Sequence, residues 1–452
     1  MDVLRKTLLD INRAALAAVA PDGAVLRHLV RDGKRLALMR GSEPDMVLDL
    51  SSYRRIVVLG AGKGAAPMAQ ALENLLGDHI DEGLVIVKYG HGLPKEDIQR
   101  IDIVEAAHPV PDEAGQRAAT SLVERAATLA KGDLAFLLFT GGASALTPAL
   151  QPDISLADLQ RLTSALLACG ATIHEINTLR KHLSRLSGGE LARAVFPARG
   201  IGLIVSDVVG DNLDVIASGP TVPDSSTFAD CKIIVEKYGL AQDLPRAIAR
   251  HLDMGLQGSI HETPKAGDKL FSDMHNVLVA TLRQALEAAG KRACELGFAH
   301  QILTDTLTGE ARDAASLLVC KAREIQKTLA PDARPVCLLA GGETTVTIRG
   351  RGLGGRNQEM ALAAGLELAS DEGIYALFAG TDGTDGPTDA AGGFAMAGEA
   401  GTWPQMGVDG AAFLRENDSY HCLEKTGNLY KSGPTRTNVM DAAIILVYPK
   451  RG

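Results

Sequence analysis

Ile56-Val57-Val58-Leu59-Gly60-Ala61-Gly62-Lys63-Gly64-Ala65 is an apolar run of strand character, then a glycine-rich turn, then the start of a helical pattern. Such a junction opens a βαβ unit, and its turn matches G-x-G-x-x-A, where small residues let the backbone approach a phosphate or carboxylate. A dinucleotide site also calls for an acid at the end of the next strand. Here the run 84–87 ends in Lys88, which counts against a nicotinamide cofactor. Walker A chemistry is missing too, because Gly64 follows Lys63 where a Ser or Thr would hold magnesium. Two readings remain: an anion-binding turn built on Gly60, Gly62, Lys63 and Gly64, or a tight turn with a surface lysine.

Outward from this turn, strand-like runs at 55–59, 84–87, 101–105, 135–139 and 202–205 alternate with helical patterns at 65–76, 114–129 and 156–167. That alternation predicts an α/β fold with parallel pairing. Polar residues, Pro245 and Pro264 interrupt it between Gln242 and Lys269, which predicts two domains, 1–255 and 270–452. In the second, helices are expected at 276–296, 309–329 and 357–368, and strands at 336–339, 344–348, 375–378 and 443–448, forming a mixed sheet.

A length of 452 residues suits two domains, and 46% hydrophobic with 22% charged residues suits a folded soluble chain. The formal net charge of −9 argues against a nucleic-acid surface, so an anionic substrate must be met by a few placed cations. Cys169, Cys231, Cys294, Cys320, Cys337 and Cys422 are scattered without a C-x-x-C pair, which predicts reduced, mostly buried thiols and a cytoplasmic setting. Charges within residues 1–19 mark an amphipathic helix, and no run is long enough to span a membrane.

Further polar turns follow apolar runs. Thr140-Gly141-Gly142-Ala143-Ser144 reads as a backbone cradle with the Ser144 hydroxyl as donor, or as a plain turn. Asp207 and Asp211 follow the run 202–205, where carboxylates hold magnesium, take a proton from a hydroxyl, or cap a helix. Gly354-Gly355-Arg356-Asn357 places a planar cation at a helix start, an arrangement suited to phosphate or carboxylate. Gly380 to Asp389 offers Asp382 or Asp385 to a cleft. Asn177 and Lys181 share a helix face, which reads as solvated, and His108, His174 and His182 have no metal spacing.

Taken together, GAGKGAAPMA, AAHPVPDEAG, TGGASAL, EINTLRKHLSRLSGGELA, SDVVGDNLDVIASGPTVPD, LAGGETTV, GLGGRNQEMAL and GTDGTDGPTDAAGG resemble the class II glycerate kinases, the glycerate 2-kinase family with a C-terminal MOFRL-type domain. The resemblance runs in order from the Gly60 turn to about Asp441. It implies a Rossmann-like N-terminal domain, a smaller α/β C-terminal domain and an active site in the cleft between them. It implies ATP- and magnesium-dependent phosphorylation of D-glycerate to 2-phosphoglycerate, without nucleic-acid or membrane partners; a homodimer is the one assembly entertained. It also implies Lys63 and Arg356 as the residues closest to activity, with Asp207 beside them. Gly60, Gly62, Gly64, Gly142, Ser144, Gly354, Gly355 and Asn357 are expected to contact phosphate or substrate, and Asp211 and Asp382 to hold metal. The competing expectation, attached to similar sequences and favoured by the Gly60 fingerprint, is an NAD(P)H-dependent hydroxypyruvate reductase.

Overall fold

Residues 2–450 are described by a computed structural model, and they divide into two compact units. An N-proximal unit comprises Pro21–Val205 and Asn212–Val279; a C-proximal unit comprises the chain up to Ala20, Ser206–Asp211 and the chain from Ala280 onward. The expected split at 255 and 270 differs from this division in three places. The first helix and the Ser206–Asp211 turn belong with the C-proximal unit, and the crossing falls at 279–280.

The sheet of the N-proximal unit carries, in order, Ile101–Ala106, Glu82–Lys88, Arg55–Ala61, Asp133–Phe139, Arg199–Val205 and Met274–Ala280. The first five pair in parallel, so their carboxyl ends lie on one edge. Asp133–Phe139 is buried at every position, which is why a strand of a doubly covered parallel sheet reads as an unbroken apolar run. Helix starts are fixed locally: Ser155 with Asp158, Thr172 with Glu175, and Thr227 with Asp230 form reciprocal capping boxes.

Glycine at position 62 is a packing requirement. Its φ is 136°, and a Cβ there would stand 2.1 Å from Thr140 Oγ1 and 2.6 Å from Thr140 O. Gly62→Ala is therefore expected to lower the unfolding free energy by about 2 kcal/mol or more, from overpacking added to backbone strain. An unchanged urea midpoint would show that the turn relaxes around the methyl group.

Three antiparallel strands, Leu29–Asp32, Arg35–Arg40 and Glu43–Asp49, precede the parallel sheet and were not expected. Their period-two alternation, with Leu36, Leu38 and Leu48 buried, is short and interrupted by turns. The interval 242–269 is no linker. It contains the helix Arg246–Leu256, started by Pro245 and packed through Ile248 and Leu252 onto Phe228 and its neighbours. Arg246, Arg250 and Asp253 form its exposed face, and the polar residues beyond it are tied back, Glu262 to His182 and Thr263 to Asp224.

The C-proximal unit has a mixed sheet, ordered Ala299–Leu307, Val336–Gly342, Asp441–Val447, Ile374–Gly380, Gly392–Met396 and Leu429–Tyr430. Only the first pairing is parallel among those described. The expected helix at 276–296 is corrected: Met274–Ala280 is a strand, and the helix Leu282–Glu295 begins only after Thr281, which caps it together with Gln284. The strand expected at 344–348 is absent among the described residues; Thr345 makes one isolated bridge to Glu310. Ala299–Leu307 is a further strand, whose polar residues His300, Gln301, Thr304, Asp305 and Thr306 break any apolar run.

Helix Asp2–Ala18 is amphipathic as expected and buries Leu8, Ile11 and Ala15. It is tied into the C-proximal unit by Arg292, whose Nη2 lies 2.6 Å from Asp10 Oδ2. All six cysteines are free, but Cys294 and Cys320 are exposed, so burial holds only for Cys231, Cys337 and Cys422. No described helix is long and apolar enough to cross a membrane.

Candidate active site

Two of the predicted turns meet at the carboxyl edge of the parallel sheet. The Lys63 amide donates to Gly141 O (2.9 Å), the Thr140 amide to Ala61 O (3.1 Å), and the Gly64 amide to Thr140 Oγ1 (2.9 Å). The space left by missing side chains is filled by the protein itself: a Cβ on Gly60 would lie 2.4 Å from Leu138 O. Gly60, Gly62 and Gly64 therefore hold the Lys63 turn against the neighbouring strand. Ser144 Oγ lies 2.9 Å from Ser218 Oγ, so the two hydroxyls are hydrogen-bonded to each other.

Around this turn stand basic side chains that the sequence pattern did not single out for it. His91 Nδ1 donates to Lys63 O (3.0 Å). His108 is pushed down to about 4 by burial, then by Lys63, Lys88 and His91. A Cβ on Gly142, whose φ is 87°, would lie 3.0 Å from His108 Nε2 and 3.5 Å from Lys63 Cγ.

Lys181 is not solvated as its helix face suggested. Its side chain is buried, with Nζ 3.3 Å from Asp224 Oδ1 and 3.9 Å from Asp214 Oδ2. Burial raises the Asp224 carboxyl, but Lys181 and the Ser226 donors outweigh it and hold the group below its ordinary value.

In the C-proximal unit, the sheet register builds the surroundings of Arg356. Asp441 begins the central strand Asp441–Val447 and pairs with Gly342 on one side and Gly380 on the other. Arg356, first residue of the helix Arg356–Glu367, places Nε 2.5 Å from Asp441 Oδ2 and Nη2 3.1 Å from Oδ1. Its Nη1 donates to Glu343 Oε1 (2.8 Å). Burial lowers the guanidinium's hold on its proton, but Asp441 and Glu343 more than reverse this, so it stays charged. Asp441 is raised to about 6, burial outweighing the pull of Arg356. A cavity of about 430 Å³ lies over this arginine, lined also by Thr344, Ile348, Gly352, Gly354 and Gly355.

The start of that helix is closed by the protein's own carboxylate. Asp385 accepts from the amides of Asn357 (3.1 Å) and Gln358 (2.9 Å), and from the side chains of both. Gly355 makes room for it, since a Cβ there would fall 2.3 Å from Asp385 Cγ. A Cβ on Gly354 would meet Ser419 Oγ at 2.2 Å. The donors of Asn357 are thus spent inside the protein. This corrects the expectation that Asn357 receives phosphate and that Asp385 reaches a cleft. Burial raises the Asp385 carboxyl despite these donors.

Asp382 Oδ1 accepts from the amide and hydroxyl of Thr384, each at 3.0 Å. Asp211 adopts φ 56°, with its amide donating to Val208 O. No group of three or more metal-ligating His, Cys, Asp or Glu occurs among the described residues. Asp382 Oδ1 and Asp441 Oδ1 each lie 3.5 Å from where a Cβ on Gly380 would stand, so two carboxylates converge at one strand end. Asp441 and Glu343 escaped the sequence-based search for site residues. The signal available was an acid directly before the apolar run Ala442 to Val447.

The chain is 41% identical to a Pyrococcus horikoshii glycerate 2-kinase over all of its own length and 99% of the relative. It belongs to the glycerate 2-kinase family. Residues 7–253 match the family described as Domain of unknown function (DUF4147), and residues 336–441 match the MOFRL family. Within the glycerate 2-kinase family, the crystal structure of Thermotoga maritima glycerate kinase resembles this chain with a TM-score of 0.86 at 39% identity, covering 99% of this chain and 100% of the other. An Agrobacterium vitis protein with a provisional hydroxypyruvate reductase name is 41% identical over 87% of each chain.

Proposed function

We propose that this protein transfers the terminal phosphoryl group of ATP to D-glycerate, giving 2-phosphoglycerate. The observation that carries the reading is Arg356: a permanently charged fork, fixed by Asp441 and Glu343 at the wall of a cavity. Phosphoryl transfer asks a protein for positioned cations and an alcohol held in line, and for little covalent chemistry. Arg356 would offset charge on the transferred group, and Asp207 would orient the glycerate hydroxyl or take its proton; Lys63 is proposed separately as a phosphate-binding cation.

The oxygen donors at the end of strand Ile374–Gly380 suit a hard cation such as magnesium, which arrives with ATP, keeps several waters and needs only one or two protein carboxylates. Asp382 and Asp211 are the carboxylates proposed to hold it. A cation held by them would supply positive charge to the phosphates of ATP. Strand Glu82–Lys88 ends in lysine where a dinucleotide ribose would want an acid, so the kinase reading is favoured over the reductase.

ADP release with D-glycerate, measured beside NADH oxidation with hydroxypyruvate, tests the reading. NADH consumption without ADP release would sink it, and a product that feeds enolase only after phosphoglycerate mutase is added would overturn the 2-position. Asp207→Asn keeps shape and removes the base, so near-normal ATP affinity with turnover lowered about 10²-fold is expected. Full turnover in that variant would exclude the role.

A further inference from the structure

Basic groups from three separate segments gather around Lys63 and His108, the two side chains that border Gly142. Lys63 follows strand Arg55–Ala61, Lys88 ends strand Glu82–Lys88 with His91 close behind, and His108 follows strand Ile101–Ala106. These strands are neighbours in one parallel sheet, so their ends open on the same edge, where ligands of open α/β sheets bind. Hydrogen bonding ties the segments together: His91 Nδ1 donates to Lys63 O at 3.0 Å, and the His91 amide to Lys88 O at 2.9 Å. Glycine at 142 keeps space between the imidazole of His108 and the stem of Lys63, since a Cβ would stand 3.0 Å from one and 3.5 Å from the other.

The carboxylates carried by these loops have other work. Glu105 Oε1 accepts from the amides of Gly90 (3.0 Å) and Gly92 (2.9 Å), and Asp112 from the amide of Gly115 (2.9 Å) and the Tyr89 hydroxyl (2.8 Å). Both hold loop shape. The charged and titratable groups that bear on His108 are then Lys63, Lys88 and His91, and after burial they are what holds its proton affinity down to about 4. A site that repels a proton in this way attracts an anion.

We infer that Lys63, Lys88, His91 and His108 together form an oxyanion cradle over the Gly142 turn, taking the phosphate or carboxylate group of a small acid. From sequence pattern this role fell to Lys63 and backbone glycines; in the structure the glycines serve packing and the added side chains supply the donors. The inference deepens the kinase reading and rests on it only for the choice of ligands.

The experiment uses the whole chain with ¹³C-labelled histidines, the His108 resonance being identified by its loss in His108→Gln. Without ligand, about a tenth of His108 should be protonated at pH 5. Saturating inorganic phosphate should raise the midpoint by about one unit, bringing the protonated fraction to about half, because a bound anion favours the imidazolium. D-glycerate forms the second arm. The same shift with glycerate identifies the carboxylate as the group held, and a shift with phosphate alone identifies the phosphoryl group. A His108 that titrates near 6.5 without ligand, that moves with neither probe, or that moves fully in Lys63→Met/Lys88→Met overturns the cradle. If phosphate moves His108 while glycerate elicits no ADP release, the cradle stands and the kinase reading falls. If glycerate elicits ADP release while His108 stays unmoved, the kinase reading stands and the cradle falls.

Discussion

Arg356→Ala is expected to lower turnover by about 10²-fold or more and to weaken the fold in a pH-dependent way. The catalytic part follows from removing a preorganised charge meant for the transition state. The structural part follows from Asp441, whose side chain is only 9% exposed and spends both oxygens on Arg356. Taking one partner from such a pair leaves a buried charge uncompensated, which costs about 3 kcal/mol. The sign with pH is set by Asp441, whose folded value already stands at about 6 against an ordinary 3.8 and must climb further once Arg356 stops pulling it down. For a raised carboxyl, the favourable contribution is complete below the unfolded value and is lost as pH rises through the folded one. Urea unfolding should therefore show a small deficit at pH 5 and the full one at pH 8. Arg356→Ala/Asp441→Asn should recover stability at pH 8 without recovering turnover. Equal deficits at both pH values would remove Asp441 from the account. Arg356→Lys keeps the charge but not the fork, and should restore stability more than activity.

Lys63→Ala should cost about 10²-fold in kcat/KM with almost no change in stability. Its backbone carries the structural load, through the amide on Gly141 O and the carbonyl accepting from His91. Both bonds survive the substitution. The side chain is half-buried beside Gly142 and leaves no core cavity when truncated. A melting temperature that fell in step with activity would instead assign Lys63 to the fold.

Much of the architecture was written in local pattern. Residues 133–139 show why: a strand covered on both faces has no polar alternation to confuse it, and capped helices such as Leu156–Ala168 announce their own start. Ala299–Leu307 was lost for the opposite reason, since none of its residues is fully buried and it includes His300, Gln301 and Asp305. At 242–269, proline and polar residues imitate a linker because a surface helix with one thin apolar stripe shares that composition. In the site, glycine-rich turns were legible as places where something comes close. Whether that something is a ligand or the protein's own Thr140, Ser419 or Asp385 was not, because a missing Cβ looks the same in either case.

Sequence by itself determined the family, the α/β class, the placement of Lys63 on a turn at the end of an apolar strand and that of Arg356 at a helix start, since these depend on residue types at short spacing. Tertiary structure alone decided what those residues touch. Asp441 lies 85 residues from Arg356 and meets it only because the central strand Asp441–Val447 enters the sheet between Val336–Gly342 and Ile374–Gly380. Asp385 closes the helix start across 28 residues, and His108 approaches Lys63 because their strands end on one edge of one sheet. Electrostatic partnership follows distance in space, and a linear chain does not state that distance until the sheet register fixes it.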